Sequence, residues 1–424
     1  MTVRSGVFGA RPRHRQLAGV AVLLTVGLLA AGCTSGDSSA PVSSFGKASS
    51  TSATRSGTGS STPTGGTKPG TPSTGTSGGP ASPTIPGMPP VLNPSDAYSA
   101  DRPGMLSPAV AGIAPMVYVP NTLSNTVSVI DPRTFNVVRT VPVGRQPQHV
   151  VPSWDLKTLW VNNDVGNSLT PIDPRTGVFG TPIPVADPYN LYFTPDGKYA
   201  VVMASKLRRL DFRDPHTMAL RKSVPVNCQG VNHADWSIDG RYFIVSCEFS
   251  GQLLKVDTVK MAVLSELTLP GGGMPQDVKM APNGREFYIA DMMRDGVWVL
   301  DGDTFRIKRL VPTGKGAHGI YVDRSSTKMY VSNRGEGTIT VWDFRTDRPA
   351  KKFVIPGGGS PDMGGLSADG TQFWVSGRYN GVVYVISTVT GALLAKIAVQ
   401  GGPHGLAYFP QPGRYSLGHT GVYR

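Results

Sequence analysis

A chain of 424 residues is too long for one small core and suits a single large repeat domain. Its 41 Lys and Arg exceed 28 Asp and Glu, giving a formal charge of +13, but four of the arginines sit in the first 15 residues without any acid to offset them. The remaining 37 bases against 28 acids leave +9, and no basic run is interleaved with aromatics, so weak attraction to an anionic envelope fits better than a nucleic-acid partner.

The chain opens with Arg4, Arg11, Arg13 and Arg15, followed by an apolar run at 17–31 that is short for a membrane span. The run ends in "LLAAGC" at Cys33. Small residues before a cysteine resemble a bacterial lipoprotein signal, with Ala30 where leucine is commoner. That resemblance implies removal of residues 1–32 and acylation of Cys33 with palmitate-type chains. The protein is then anchored in lipid at the extracytoplasmic face of the cell membrane. Residues 34 to about 90 are nearly all Ser, Thr, Gly and Pro, with too little apolar surface to offset the entropy of ordering, so 33–95 reads as a disordered tether. The propeller described next occupies 96–415, and 416–424 form a tail.

From Met116 the sequence repeats. Turns such as "TPDGK", "SIDGR", "APNGR" and "SADGT" precede strands such as "KYAVVMA", "RYFIVSC", "EFYIADM" and "QFWVSG". Third strands end in "VSVIDPRT" or "VWVLDGDT", and fourth strands close on "VVRTVPVG" or "AKKFVIPGG". Asp-Gly and Asn-Gly supply positive φ at tight hairpins, and the Asp before each later turn can accept from backbone ahead of it. A polar residue opens each unit: His149, Asn190, His233, Asp277, His318, Asp362 and His404, spaced 41 to 44 residues apart. Four short antiparallel strands in such a period predict an all-β, seven-bladed β-propeller. The first unit lacks its first strand and "PHGLAYFPQPG" is a strand without a blade, so the C-terminal strand is expected to close the ring.

Units such as "YVPNTLSNTVSVIDPRTFNVVRTVPVG" resemble the YVTN-type β-propeller repeat family over about 116–415. The third blade, "VVMASKLRRLDF", and the fourth, with "IVSCEFSG", depart from its pattern. That family is specific for fold and poor for function. Its repeat is similar to the haem-binding propeller of nitrite reductase, to surface-layer proteins and to many exported proteins.

In a propeller the first strands line the channel, so the seven opening residues should surround one mouth, with Arg334 and Arg378 beside them. An outer circle of Asn163, Asp164, Glu248, Asp291 and Asn333 belongs to the same face. Imidazoles and carboxylates converging from different blades suit a transition metal, with His149, His233, His318 and His404 as ligands, or a haem-like or other cofactor. The alternative is that the repeat prefers a polar side chain at this place for its own architecture. With Cys33 acylated, Cys228 and Cys247 remain in an oxidising compartment and are expected to form a disulfide; free thiols beside His233 are the alternative. His14 falls in the signal and His216 in a turn, and the tail "SLGHTGVYR", including His419, matches nothing in the repeat. There is no C-x-x-C-H, no G-x-S-x-G and no phosphate loop. The glycine triplets at 271–273 and 357–359 suit tight crossings between blades. The sequence thus points to a monomeric scaffold that binds a small molecule or a protein through one disc face, or else to a metal- or cofactor-binding propeller.

Overall fold

Gly197, Gly240, Gly284 and Gly370 take φ values of +69, +74, +71 and +75, so the Asp-Gly and Asn-Gly turns form as their chemistry demands. In the computed structural model, which describes residues 84–419 and 422–424, these turns link Val-, Ile- and aromatic-rich strands into seven antiparallel sheets arranged as propeller blades. Residues 1–83, with the signal, Cys33 and most of the tether, lie outside the described residues.

Blade one combines Met116–Asn121, Thr126–Asp131 and Asn136–Pro142 with Ala407–Phe409. Met116 pairs with Phe409 and Tyr118 with Ala407, so the expected closure by the late strand is present. Blade two has its outer strand split into Val178–Phe179 and Ile183–Pro184, where the prolines at 182 and 184 offer no N–H to the ladder. The cores lie between adjacent blades; Trp236 and Phe243, for example, stack at 4.6 Å beside Tyr192 and Phe212 of the previous blade. The outermost strands, such as Arg348–Val354, are largely exposed.

Three of the hairpins between second and third strands are locked by an asparagine at the strand end. Asn121 donates to Thr126 Oγ1 and Ser128 Oγ, Asn163 to Ser168 and Thr170, and Asn333 to Thr338 and Thr340, at 2.9 to 3.2 Å. Those hairpins lie beside the connections that enter each blade, as when Glu248 N donates to Gly230 O and Arg378 N to Ser360 O. Together they make an upper face. The lower face carries the remaining turns and is crossed by residues 84–113: Ile85 N donates to Asp239 O, Ala97 N to Pro282 O, and Arg102 to Arg324 O. Ile85 is already buried, about ten residues before the folded region was expected to start at 96.

Candidate functional site

The first strands do not present the seven opening residues at one level. In five blades the pairing with the second strand skips two residues opposite one: 148–149, 232–233, 276–277, 318–319 and 362–363. A bulge of this kind re-aims side chains, here from the flank of the blade into the channel. His149, His233 and Asp277 hold the second bulge position, one step deeper, while His318 and Asp362 hold the first. The single repeated position expected from the spacing is therefore two adjacent positions, which the sequence period blurs. The channel consequently has an upper and a lower tier.

The upper tier joins His318, Asp362 and His404. Asp362 Oδ1 lies 3.2 Å from His318 Nδ1, without hydrogen-bond alignment, and Oδ2 lies 3.4 Å from His404 Nε2. Arg334 Nη1 donates to Asp362 Oδ1 at 3.0 Å, Arg378 Nε sits 3.9 Å from Oδ2, and Arg378 Nη1 donates to Thr122 Oγ1. His404 Nδ1 is 3.1 Å from Gln148 O. Burial raises the Asp362 carboxyl above its ordinary range, against the pull of the two guanidiniums. The same burial drives His318 and His404 well below the usual imidazole value, and nearby Arg378 and Arg334 add to this. Glu248, bonded by Asn232 Nδ2 at 2.8 Å, is likewise raised by burial.

The lower tier holds His149, His233, Asn190 and Asp277, and it contains a residue that the repeat gave no reason to expect. Residues 415–419 run up from the lower face beside the first strand of blade three: Phe193 N donates to Leu417 O and His419 N to Leu191 O. Gly418, at φ +92, is required there, because a Cβ would stand 2.5 Å from Leu191 O. His419 thereby enters the channel. Its ring centroid lies 5.0 Å from His149 and 4.8 Å from His233, Asn190 Nδ2 lies 3.1 Å from its Nδ1, and its Nε2 is 3.7 Å from Asp277 Oδ1. Of the tail set apart at 416–424, the described residues 416–419 and 422–424 form a plug, held below by Arg424, which donates to Asp235 at 2.8 Å. The only foreshadowing was "GHTG", a histidine between two glycines outside the repeat.

Burial lowers His149 to about 3 and His233 and His419 well below the ordinary value, and it raises Asp277 to about 6. Burial thus disfavours the charged form of all five channel imidazoles. By distance two trios could hold a metal: His149 with His233 and His419, and His318 with Asp362 and His404, the donor atoms in each lying within 4.8 Å of one another. By distance the quartet of His149, His233, His318 and His404 falls into two trios, His149 and His233 in one and His318 and His404 in the other, although the His149 and His404 rings approach to 4.8 Å. Nor do these residues form an open mouth: each of the seven opening residues is at most 2% exposed, covered by the arginines above and the tail below.

Other expected members fall outside the channel. Asn163 and Asn333 are the hairpin locks described above. Asp291 serves the same purpose, accepting from the backbone of Met274, Met293 and Arg294 and from Trp298 Nε1. Asp164 pairs with Lys206 at 3.0 Å. Cys228 and Cys247 are joined as a disulfide with their Cα atoms 5.9 Å apart, so neither sulfur is a ligand beside His233. The triplet glycine at 273 gives way to a neighbour within its own blade: a Cβ there would stand 2.2 Å from Asp291 Oδ2.

A family model described as a YNCE-like beta-propeller matches residues 84–412. Among known sequences, the chain is similar to an uncharacterized protein, YncE, of Salmonella typhi, with 21% identity over 279 residues, 58% of this chain and 73% of the relative. Among solved structures it is similar to hydrazine synthase of Kuenenia stuttgartiensis (TM-score 0.58, 19% identity, 67% of this chain and 94% of that one). It is also similar to the dihydro-heme d1 dehydrogenase NirN (TM-score 0.54, 14% identity, 72% and 76%). At such identities the likeness extends to the fold alone.

Proposed function

Since the chain belongs to the YNCE-like beta-propeller family, whose fold supplies a scaffold without choosing a role, we propose that it is a protein-binding module. It is anchored by lipid at Cys33 on the extracytoplasmic side of the membrane and engages its partner through the upper face. One observation carries this reading. The second residue beyond each second strand is Leu123, Val165, Lys206, Phe249, Met293, Gly335 or Tyr379, so five of seven hairpin tips are apolar. Leu123, Phe249, Met293 and Tyr379 are 77%, 64%, 60% and 75% exposed. A circle of exposed apolar tips has no use in an isolated blade, and such patches mark contact surfaces.

Inside that circle two guanidiniums, Arg334 and Arg378, converge on the carboxylate of Asp362, with Glu248 close to Arg334, and Arg334 also lies 5.6 Å over the Tyr379 ring. The complementary surface is a protein that presents polar groups to the arginines and carboxylates at the centre and apolar side chains around them. A photo-crosslinking residue placed at 379 or 249 in the full chain is expected to capture one partner. The same residue at 389, on the lower face and equally exposed, should not. Phe249→Asp with Tyr379→Asp should weaken binding to that partner by about 30-fold or more, as expected for hot-spot residues. Equal capture from both faces, or unchanged affinity in the double variant, overturns the proposal.

A further inference from the structure

Blades two and three meet on the upper face through two acids. Asp164 follows the second strand of blade two, and Asp187 lies in the connection entering blade three; each is 4% exposed. Both grip the tip of the blade-three hairpin: Lys206 Nζ donates to Asp164 Oδ2 at 3.0 Å and Leu207 N to Asp187 Oδ2 at 2.8 Å. Their remaining oxygens, Asp164 Oδ1 and Asp187 Oδ1, are buried and receive no hydrogen bond. The two side chains nevertheless stand within hydrogen-bonding reach of each other. A carboxylate has no donor of its own, so two ionised acids placed this way repel and leave both oxygens unsatisfied. One proton between them removes the repulsion and satisfies both oxygens with a single charge-assisted bond.

The surroundings leave that proton to the pair. The charged groups facing Asp187 are Asp164 on blade two and Lys206 on blade three, and Lys206 is 60% exposed. Arg145, on the connection entering blade two, donates to Val165 O and to neither acid. Two acids thus face one solvated ammonium, and one shared proton balances them at a single negative charge against a single positive one. The backbone holds the arrangement as well. Asp187 N donates to Asn167 Oδ1 at 2.8 Å, and Asp187 keeps φ at +50, a region that three matching connections give to Gly230, Gly316 and Gly402. The aspartate side chain is therefore kept there at a cost in backbone strain.

We propose that Asp164 and Asp187 share one proton, and that this proton fixes the tip at Lys206 and Leu207 and so makes contact with a partner at the upper face pH-dependent. The inference rests on the upper face being the contact surface, to which Leu207 adds a side chain that is 47% exposed. Burial holds Asp187 up at about 6 and the neighbouring Asp164 adds to this, while the Leu207 amide and Lys206 pull it down. The stability that the shared proton brings is therefore complete below about pH 4 and is lost as pH rises through about 6. On the alkaline side two adjacent anions face one lysine, the Leu207 amide loses its fixed acceptor and the tip loosens. An acidic medium favours the partner.

The test uses the full chain. Asp187→Asn copies the protonated state at every pH, because its amide oxygen still accepts from Leu207 N while its NH2 donates to Asp164 Oδ1. In the wild type, amide exchange at Leu207, corrected for the intrinsic effect of pH, should quicken about 10-fold or more between about pH 5 and about pH 7.5. In Asp187→Asn it should stay slow at both values. Infrared difference spectra at the lower pH should show one protonated carboxyl more in the wild type than in this variant. Asp164→Asn, whose NH2 donates to Asp187 Oδ1 and whose oxygen keeps Lys206, should lose the exchange response as well, which decides the matter should Asp187→Asn fail to fold. Capture of a partner by the crosslinker at 379 should weaken over the same pH range in the wild type and hold steady in Asp187→Asn. A wild-type Leu207 amide indifferent to pH, or a response that survives both variants, refutes the shared proton. Capture that ignores pH while Leu207 responds refutes the regulation alone. No capture at either pH refutes the upper-face reading, and the exchange and infrared results still decide the proton.

Discussion

Arg424 shows how much of this fold depends on single buried charges. Its guanidinium lies 4.5 Å over the Tyr98 ring and donates to Asp235 Oδ1, while Trp236 N and Met280 N donate to the same carboxylate. Asp235 is wholly buried, so Arg424→Met strands a carboxylate without its counter-charge and should cost about 3–5 kcal/mol in urea unfolding. Adding Asp235→Asn should recover part of that loss, because a neutral amide no longer needs the cation although its NH2 then faces the backbone N–H of Trp236 or Met280. A double variant no more stable than Arg424→Met would show that Arg424 acts through packing on Tyr98 instead.

At the scale of elements, the Cys228–Cys247 bond ties the connection entering blade four to the end of that blade's second strand, 19 residues apart. Closing a loop of this size stabilises by roughly 3 kcal/mol in the chain-entropy account. Cys228→Ala with Cys247→Ala should therefore lower stability by about 2–3 kcal/mol, and a reductant that lowers the wild-type melting point should leave the variant's unchanged. The hairpins were legible in the sequence because Asp-Gly and Asn-Gly admit few conformations, and so was ring closure, because blade one visibly lacked a strand. The bulges were not. One residue displaced inside a unit disappears into a period that already varies from 41 to 44, so His318 and His149 looked equivalent. His419 escaped for a different reason: periodicity is silent about a segment that belongs to no repeat, and only the packing of Leu417 against Phe193 brings that histidine into the channel.

The molecule as a whole has two unlike faces. The lower is crossed by residues 84–113 and stoppered by the tail; the upper is bare and ringed by apolar tips. The described chain joins the propeller at Ile85 on the lower face, opposite the face proposed to bind a partner. Cys33→Ser is expected to move the protein from the membrane fraction to the soluble extracytoplasmic fraction with its melting point unchanged. A variant that still sediments with membranes would mean that another attachment holds it.

The plug also imposes an order of events. His149 is synthesised early and His419 only after the strand that closes the ring, so no partly made chain possesses the lower tier. The ring must remain open until Ala407–Phe409 docks on blade one, and only then can the last histidine take its place in the channel. The lower tier is therefore complete only in a chain whose ring has already closed.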